Sequence, residues 1–396
     1  MAAAMLSDPP IRIPLSVPVL DGNEAAYLRD CVETGWVSTA GPFVNGFEAA
    51  FAKRLGVEKA VPVQSGTAAL HLALLVAGVK PGDLVLTSTL TFVATANAIR
   101  YCGAEPVFVD SFEADWQFDV ALAEAFLADD CRHSDGYLRE KASGKRIAAL
   151  LPVHLMGGMV DMTALLALAE RYGLPVIEDA TEALGATFDG HPAGTLGDFG
   201  CFSFNGNKLV TAGGGGMVIG RDDAQVERCR HLSTQAKLDP IEGTFEEMGF
   251  NYRLTNLQAA VGLAQLERLE AKLSRRREIF AVYADAFADR PGLQMMPSGQ
   301  AVKAACWLST LRLWPDQCGF TSRQAMAALR AEGIDSRPFW EPLHLSASQQ
   351  GGDGRPPRVL GGEMAASLQR DCLCLPSSPD LTADDQQIVV STILAL

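Results

Sequence analysis

The sequence has no excess of basic residues. Of its 396 residues, 33 are Lys or Arg and 47 are Asp or Glu, which gives a formal net charge of -14. Nucleic acids and anionic membranes are bound by basic faces, so this balance argues against both as partners. An anionic ligand must instead be held by a few local groups.

The chain also has little that indicates a metal site, secretion or a membrane span. Its nine cysteines lack metal-type spacing, with Cys372 and Cys374 as the closest pair, so we expect reduced thiols and no metal. The start of the chain has no charged segment followed by a long apolar one, unlike a secretory signal. No uninterrupted apolar run approaches the roughly 18 residues that a membrane span needs. We therefore expect a cytoplasmic protein.

Short apolar runs alternate with longer helical patterns along the first two thirds of the chain, as in "AVPVQ", "LVLTS", "EPVFVD", "RIAALLPV" and "LPVIEDA". This alternation predicts an α/β layer with a mostly parallel sheet. After about Tyr252 the pattern changes to a long amphipathic helix, followed by short strands and a helix. We predict a large α/β domain over 1–255 and a smaller α+β domain with its connecting helix over 256–396. The N-terminal segment could pack on the smaller domain.

Ser65 to Gly78, "SGTAALHLALLVAG", has the composition of a helix that begins after Ser-Gly-Thr. The free N–H groups and positive dipole at such a helix start favour an anion, and a phosphate is one candidate. An ordinary N-cap, for which Ser and Thr are common, explains the same residues.

Two further side chains follow predicted strands. Asp179 lies at the end of "LPVIED", at the sheet edge where ligands collect, and could equally cap the next helix. Lys208 lies five residues after Ser203 and just before four glycines, and a solvated loop lysine is the ordinary alternative. Together with the helix start, these residues supply a phosphate cradle, a partner for a ring nitrogen and a Schiff-base lysine. That combination predicts a pyridoxal phosphate site without a metal.

At this point the sequence resembles the DegT/DnrJ/EryC1/StrS sugar aminotransferases over nearly its whole length. The similar segments run from "IPLSVPVLDGNE" through "GTAALHLAL", "TFVATANAI", "VIEDATEALGA", "FSFNGNKLVTAGGGG" and "GFNYRLTNLQAA" to "RPFWEPLHL". "EDATEALG" and "FSFNGNK" look most like the LegC-type branch. The resemblance implies the aspartate aminotransferase type of fold, which is PLP fold type I, and pyridoxal phosphate as cofactor.

The resemblance also implies roles for residues around the cofactor. Lys208 would bind it covalently, and Asp179 would pair with its pyridine nitrogen. The other expected contacts are Gly66, Thr67 and Ser203 at the phosphate, Phe92 on the ring face and Glu182 near the phenolic oxygen. A carboxylate so close to that oxygen would need a proton or a cationic neighbour.

Asn251 matches an asparagine that relatives extend across a dimer interface to the neighbour's cofactor phosphate. The resemblance therefore implies a homodimer with shared active sites, with Tyr252 and Arg253 near the substrate. His344 would approach the substrate from the small domain. His154 and the loop from Trp36 to Ala40 could line the pocket or be purely structural.

The implied function is transfer of an amino group from an amino acid, for which we expect L-glutamate, to a nucleotide-linked keto-sugar. The LegC-type resemblance favours C4 of a UDP-linked 4-keto-6-deoxy-N-acetylhexosamine. Two alternatives are a sugar 3-dehydratase on the same scaffold and a non-catalytic cofactor-binding regulator. Lys208 argues against the first because the known dehydratases carry histidine there. The acidic charge and the lack of a separate helix-turn-helix segment argue against a DNA-binding regulator.

Overall fold

The computed structural model of the chain describes residues 10–239, 241–245, 247–350 and 356–396. The α-helices are α1 Glu24–Thr34, α2 Pro42–Leu55, α3 Gly66–Val76, α4 Ala94–Tyr101, α5 Val120–Asp129, α6 Met162–Tyr172, α7 Asp223–Ser233, α8 Asn256–Glu267, α9 Leu269–Phe287, α10 Pro315–Cys318, α11 Ser322–Ala331, α12 Glu363–Asp371 and α13 Ala383–Leu394. Short 3-10 turns span Leu155–Gly157 and Ala347–Gln349. Within these ranges, none of the helices has the length and apolar composition that crossing a membrane requires.

The strands in the first half of the chain are β1 Ala60–Val63, β2 Leu84–Ser88, β3 Glu105–Val109, β4 Cys131–Ser134, β5 Tyr137–Glu140, β6 Ile147–Leu151, β7 Ile177–Asp179, β8 Thr187–Phe188 and β9 His191–Pro192. Those in the second half are β10 Phe199–Ser203, β11 Gly216–Gly220, β12 Lys237–Asp239, β13 Thr244–Phe245, β14 Leu293–Met295, β15 Val302–Lys303, β16 Ser309–Leu313, β17 Arg337–Pro338, β18 Arg358–Leu360 and β19 Cys372–Leu375.

The main sheet has the strand order β18-β3-β2-β6-β7-β10-β11-β1. Its two halves, β18-β3-β2-β6 and β1-β11-β10-β7, are joined by parallel bridges from Leu150 to Val176 and from Val153 to Asp179. All pairings are parallel except those of β11, which runs opposite to its two neighbours. The prediction of an α/β fold with a mostly parallel sheet is confirmed.

Both faces of the main sheet are covered, which explains why its strands are continuous apolar runs. Strand β2 shows this, since its side chains alternate between the two faces. Leu84 and Leu86 pack into the hydrophobic core on one face, and Val85 packs into the core on the other.

A second sheet, β14-β16-β19-β17, is antiparallel and lies in the C-terminal part of the chain. Ile13 of the N-terminal segment packs into the hydrophobic core beside this sheet and forms a bridge with Ile334. The C-terminal part extends into the main sheet as well, because β18 pairs with β3. The division at residue 255 stays a prediction.

The long helix predicted after Tyr252 is interrupted. Helix α8 ends at Glu267, Arg268 has φ -101° and ψ 4°, and α9 begins at Leu269. The break faces the N-terminal segment, where the Val19 carbonyl accepts hydrogen bonds from Gln265 Nε2 at 2.8 Å and Lys272 Nζ at 3.1 Å. The bend lets side chains from both helices reach that one carbonyl.

Candidate active site

A cavity of about 410 Å³ lies at the edge of the main sheet where β7 and β10 end. Parallel strands bring their carboxyl ends to one edge, which is why residues far apart in sequence meet there. Seven of the residues predicted from sequence line this cavity: Gly66, Thr67, Phe92, Asp179, Glu182, Ser203 and Lys208.

Lys208 lies in a turn after β10, where its N–H donates to the Asn205 carbonyl at 3.0 Å. Its side chain is only 13% exposed, and Nζ lies 3.8 Å from Glu182 Oε1. The same nitrogen lies 3.9 Å from the centre of the Trp307 ring. Burial lowers the pKa of the Lys208 amine, and Glu182 and Asp179 oppose that shift only in part. A neutral amine is the form that acts as a nucleophile or base.

Glu182 is buried beside this amine. Its Oε2 accepts a hydrogen bond from the Met156 N–H at 2.8 Å, which comes from the 3-10 turn after β6. Burial raises the pKa of the Glu182 carboxyl, although Lys208 and the Met156 N–H favour its ionised form. Burial thus shifts the pKa values of the two groups toward each other.

Asp179 ends β7 and is 2% exposed. Its Oδ2 accepts a hydrogen bond from the Thr95 hydroxyl at 2.8 Å, and its Oδ1 accepts one from the Thr181 N–H at 3.2 Å. Sequence reasoning missed Thr95, whose only signal was its place three residues after Phe92 in "TFVATANA". The carboxylate is held from two sides at the cavity wall.

The start of α3 also lines the cavity. Ser65 is the N-cap, and its Oγ accepts a hydrogen bond from the Ala68 N–H at 3.0 Å. Gly66 approaches Ser203 so closely that a Cβ added to it would lie 2.9 Å from Ser203 Cβ. Helix geometry leaves the first N–H groups of α3 unpaired. These N–H groups and the Ser203 hydroxyl therefore lie close together at one place in the cavity.

Aromatic rings form much of the remaining wall. Phe92 is 53% exposed and its ring centre lies 5.7 Å from that of Trp340. Trp307 lies over Lys208, and its Nε1 donates to the Asn207 carbonyl at 2.9 Å. Neither tryptophan was assigned to the site from the sequence, because both lie in the C-terminal part of the chain. Each follows Lys208 by more than 90 residues.

Four predicted residues do not line the cavity of their own chain. Asn251 forms a bridge with Thr234, and Arg253 forms one with Val63. The Tyr252 hydroxyl lies 3.3 Å from His71 Nδ1. His344 is the fourth, and its Nδ1 lies 2.6 Å from the Thr89 hydroxyl.

The two positions for which structural roles were left open also lie outside the cavity. His154 is fully buried, and its Nε2 lies 2.8 Å from Glu178 Oε2. In the loop from Trp36 to Ala40, the Trp36 carbonyl accepts a hydrogen bond from Asn256 Nδ2 at 2.8 Å. Both sets of contacts match the structural alternative.

Comparison with known proteins identifies the family. A sequence model of the DegT/DnrJ/EryC1/StrS aminotransferase family matches residues 18–394. EpsN of Bacillus subtilis, provisionally named a pyridoxal phosphate-dependent aminotransferase, is 39% identical over 97% of this chain and 96% of its own. GDP-perosamine synthase of Caulobacter vibrioides is 41% identical over 86% of this chain and 87% of its own.

The fold agrees with this assignment. The crystal structure of DesV from S. venezuelae has a TM-score of 0.83 and 32% identity, covering 96% of this chain and 97% of DesV. This confirms the predicted aminotransferase fold, whereas the LegC-type branch stays a prediction. The chain belongs to the DegT/DnrJ/EryC1/StrS aminotransferase family and is a pyridoxal phosphate-dependent aminotransferase.

Proposed function

We propose that this enzyme moves an amino group from L-glutamate to the keto group of a nucleotide-linked sugar. The observation that carries the proposal is the convergence of three parts on one cavity. These are the buried Lys208 amine, the Asp179 carboxylate and the start of α3 beside Ser203.

The cavity residues fit pyridoxal phosphate. The close approach of Gly66 to Ser203 leaves a cradle that any side chain at Gly66 would fill. The phosphate would be held there by Gly66, Thr67 and Ser203, at a helix start that favours anions. Asp179 would hold the ring nitrogen and Phe92 would cover one ring face. Glu182 would lie near the phenolic oxygen.

When bound, pyridoxal phosphate carries the amino group between substrates and delocalises the negative charge that builds up at the reacting carbon. Asp179, held by Thr95 and Thr181, keeps a proton on the ring nitrogen. The Lys208 amine would act as the general base that takes the proton from the α-carbon of the amino donor, and the resulting ammonium group would then return that proton as general acid. Trp307 covers the amine and limits its access to water.

For the acceptor we propose C4 of a UDP-linked 4-keto-6-deoxy-N-acetylhexosamine. The similarity of "EDATEALG" and "FSFNGNK" to the LegC-type branch supports this choice. A GDP-linked keto-sugar is the second candidate, because GDP-perosamine synthase of Caulobacter vibrioides, a 41% identical relative, is named for a GDP-linked product. The aromatic wall of Phe92, Trp307 and Trp340 offers apolar surface against which a sugar ring can pack.

We further propose a cytoplasmic homodimer with shared sites, to which Asn251, Tyr252 and Arg253 of one subunit contribute at the cavity of the other. These residues do not line their own cavity, and the segment before them exposes apolar side chains, which is typical of an interface. Those side chains are Leu238, Phe245 and Met248, which are 63%, 58% and 80% exposed. The nine free thiols support a reducing compartment.

The test is an amino-transfer assay with L-glutamate and a panel of UDP-, dTDP- and GDP-linked keto-sugars, read by mass spectrometry. We expect an aminated UDP-linked 4-keto-6-deoxy product with the natural chain and none with Lys208→Ala. Preferred amination of a GDP-linked sugar would support the second candidate. A holoenzyme that aminates none of the panel, while converting other keto acids, would refute the sugar assignment.

A further inference from the structure

Two threonine hydroxyls lie in a row behind the Asp179 carboxylate. Thr95 Oγ1 lies 2.8 Å from Asp179 Oδ2, and Thr91 Oγ1 lies 3.0 Å from Thr95 Oγ1. All three side chains are buried. The contact between Thr95 and Asp179 does not follow from local sequence spacing, because the two residues are 84 positions apart.

The direction of these hydrogen bonds follows from the number of protons available. A carboxylate only accepts, so the single hydroxyl proton of Thr95 points to Asp179. Thr95 Oγ1 then has only acceptor capacity left for Thr91, and the Thr91 hydroxyl donates to it. The row is therefore directed from Thr91 through Thr95 to the carboxylate, and a hydrogen bond to a charged acceptor is among the stronger kinds.

Thr95 is the contact that ties Asp179 to a different part of the fold. The other hydrogen bond to the carboxylate comes from Thr181, two residues along the same loop. Among the described residues, Thr95 is the only one outside that loop that hydrogen-bonds the carboxylate. The Thr95 contact therefore fixes the carboxylate relative to α4, the helix that contains Thr95.

The same segment carries Phe92 into the cavity. Phe92 lies between the two threonines, and the Thr95 N–H donates to the Phe92 carbonyl at 3.3 Å. Thr95 lines the cavity together with Phe92 and Asp179. Thr91 and Thr95 thus fix the position of Phe92, proposed for the ring face, relative to Asp179, proposed for the ring nitrogen.

We propose that Thr95, supported by Thr91, is a positioning residue that holds the Asp179 carboxylate and the Phe92 segment in register for the cofactor ring. This rests on the proposed function, in which Asp179 keeps the ring nitrogen protonated. Thr95 acts through Asp179 and Phe92. Its hydroxyl sets the rate of proton transfer and the retention of the cofactor, with little effect on how glutamate binds.

The experiment compares holoenzymes of the natural chain, Thr95→Val and Thr95→Ser. Valine matches threonine in shape but lacks the hydroxyl, and serine restores it. Stopped-flow absorbance of the bound cofactor gives the rate constant at saturating glutamate and the glutamate concentration for half-saturation. We expect Thr95→Val to lower the rate constant by about 10- to 100-fold, the range for a lost hydrogen bond to a charged group. Half-saturation should be unchanged and serine should restore the rate.

Thr87→Val is the matched control. Thr87 is also a buried threonine, but its hydroxyl donates to the Leu151 carbonyl at 2.8 Å and it does not line the cavity. The Thr87→Val variant should have a lower melting temperature and an unchanged rate constant at saturating glutamate. Cofactor release, followed by fluorescence after dilution, should be faster in Thr95→Val than in Thr87→Val. Thr91→Val should show a smaller loss of rate than Thr95→Val.

Two results would overturn the inference. Thr95→Val with the rate constant and cofactor release of Thr87→Val would show that the hydroxyl has only a structural role. A Thr95→Ser variant as slow as Thr95→Val would show that restoring the hydroxyl does not restore the rate, so that the loss in Thr95→Val comes from disturbed packing. If the natural chain holds no cofactor at Lys208, the proposed function fails and this inference fails with it. If the natural chain is active and the Thr95 variants have its rate constant, only the inference about Thr95 fails.

Discussion

Asp179→Asn removes the charge of the proposed ring-nitrogen partner while keeping its shape. With the amide in the place of the natural carboxylate, its oxygen can accept from the Thr181 N–H and its NH₂ can donate to Thr95 Oγ1. The Thr95 hydroxyl then turns toward Thr91, which its 3.0 Å distance permits. The fold and the cofactor should therefore be retained.

The expected loss lies in the proton-transfer step. A neutral amide does not keep the ring nitrogen protonated, so the negative charge that builds up at the reacting carbon is poorly delocalised. Loss of a well-placed electrostatic group in a dry site lowers turnover by about 100- to 1000-fold. Since Asp179 is 2% exposed, water cannot replace its charge, and the upper part of that range applies.

The assay is single-turnover reaction of the holoenzyme with glutamate, followed by the absorbance of the cofactor. Asp110→Asn is the matched control, because Asp110 is also buried but its oxygens accept from the Gly362 and Ala365 N–H groups at the start of α12. Asp110→Asn should lower the free energy of unfolding and leave the single-turnover rate with glutamate nearly unchanged. An Asp179→Asn enzyme with near-normal turnover would assign the ring nitrogen to another residue.

Two further predictions concern Glu182 and Asn251. Because burial raises the pKa of Glu182 above 4.5, the stability from its neutral form is complete below about pH 4.5 and is lost as the pH rises through the folded-state pKa. Glu182→Gln cannot ionise, so urea unfolding of the cofactor-free variant should show a growing stability advantage over the natural chain as the pH rises above about 4.5; a constant difference would contradict this. Mixing inactive Lys208→Ala subunits with impaired Asn251→Ala subunits should restore part of the activity, because a shared-site heterodimer has one site without either lesion. No recovery after verified subunit exchange would favour unshared sites.

The sequence predicts those parts of the site that have local signals. The helix start at Ser65, Asp179 at a strand end and Lys208 before the glycines each follow from spacing within a few residues, and they line one cavity. The parallel order of the main sheet brings them together. The pattern of alternating strands and helices predicts a mostly parallel sheet without any knowledge of contacts.

The remainder depends on contacts between distant segments. Trp307 lies over Lys208 and Thr95 binds Asp179, yet no local spacing predicts either contact. The break at Arg268 was also missed, since the apolar pattern continues through it and the side-chain contacts to Val19 lie 246 and 253 positions away. Such features require the packed structure.

Peptide mapping after borohydride reduction shows which lysine holds the cofactor. Reduction converts the bond between lysine and pyridoxal phosphate into a stable secondary amine that survives digestion. We predict a single modified peptide containing Lys208 in the natural chain and no modified peptide in Lys208→Ala. A phosphopyridoxyl group on another lysine, or none on a catalytically active protein, would contradict it.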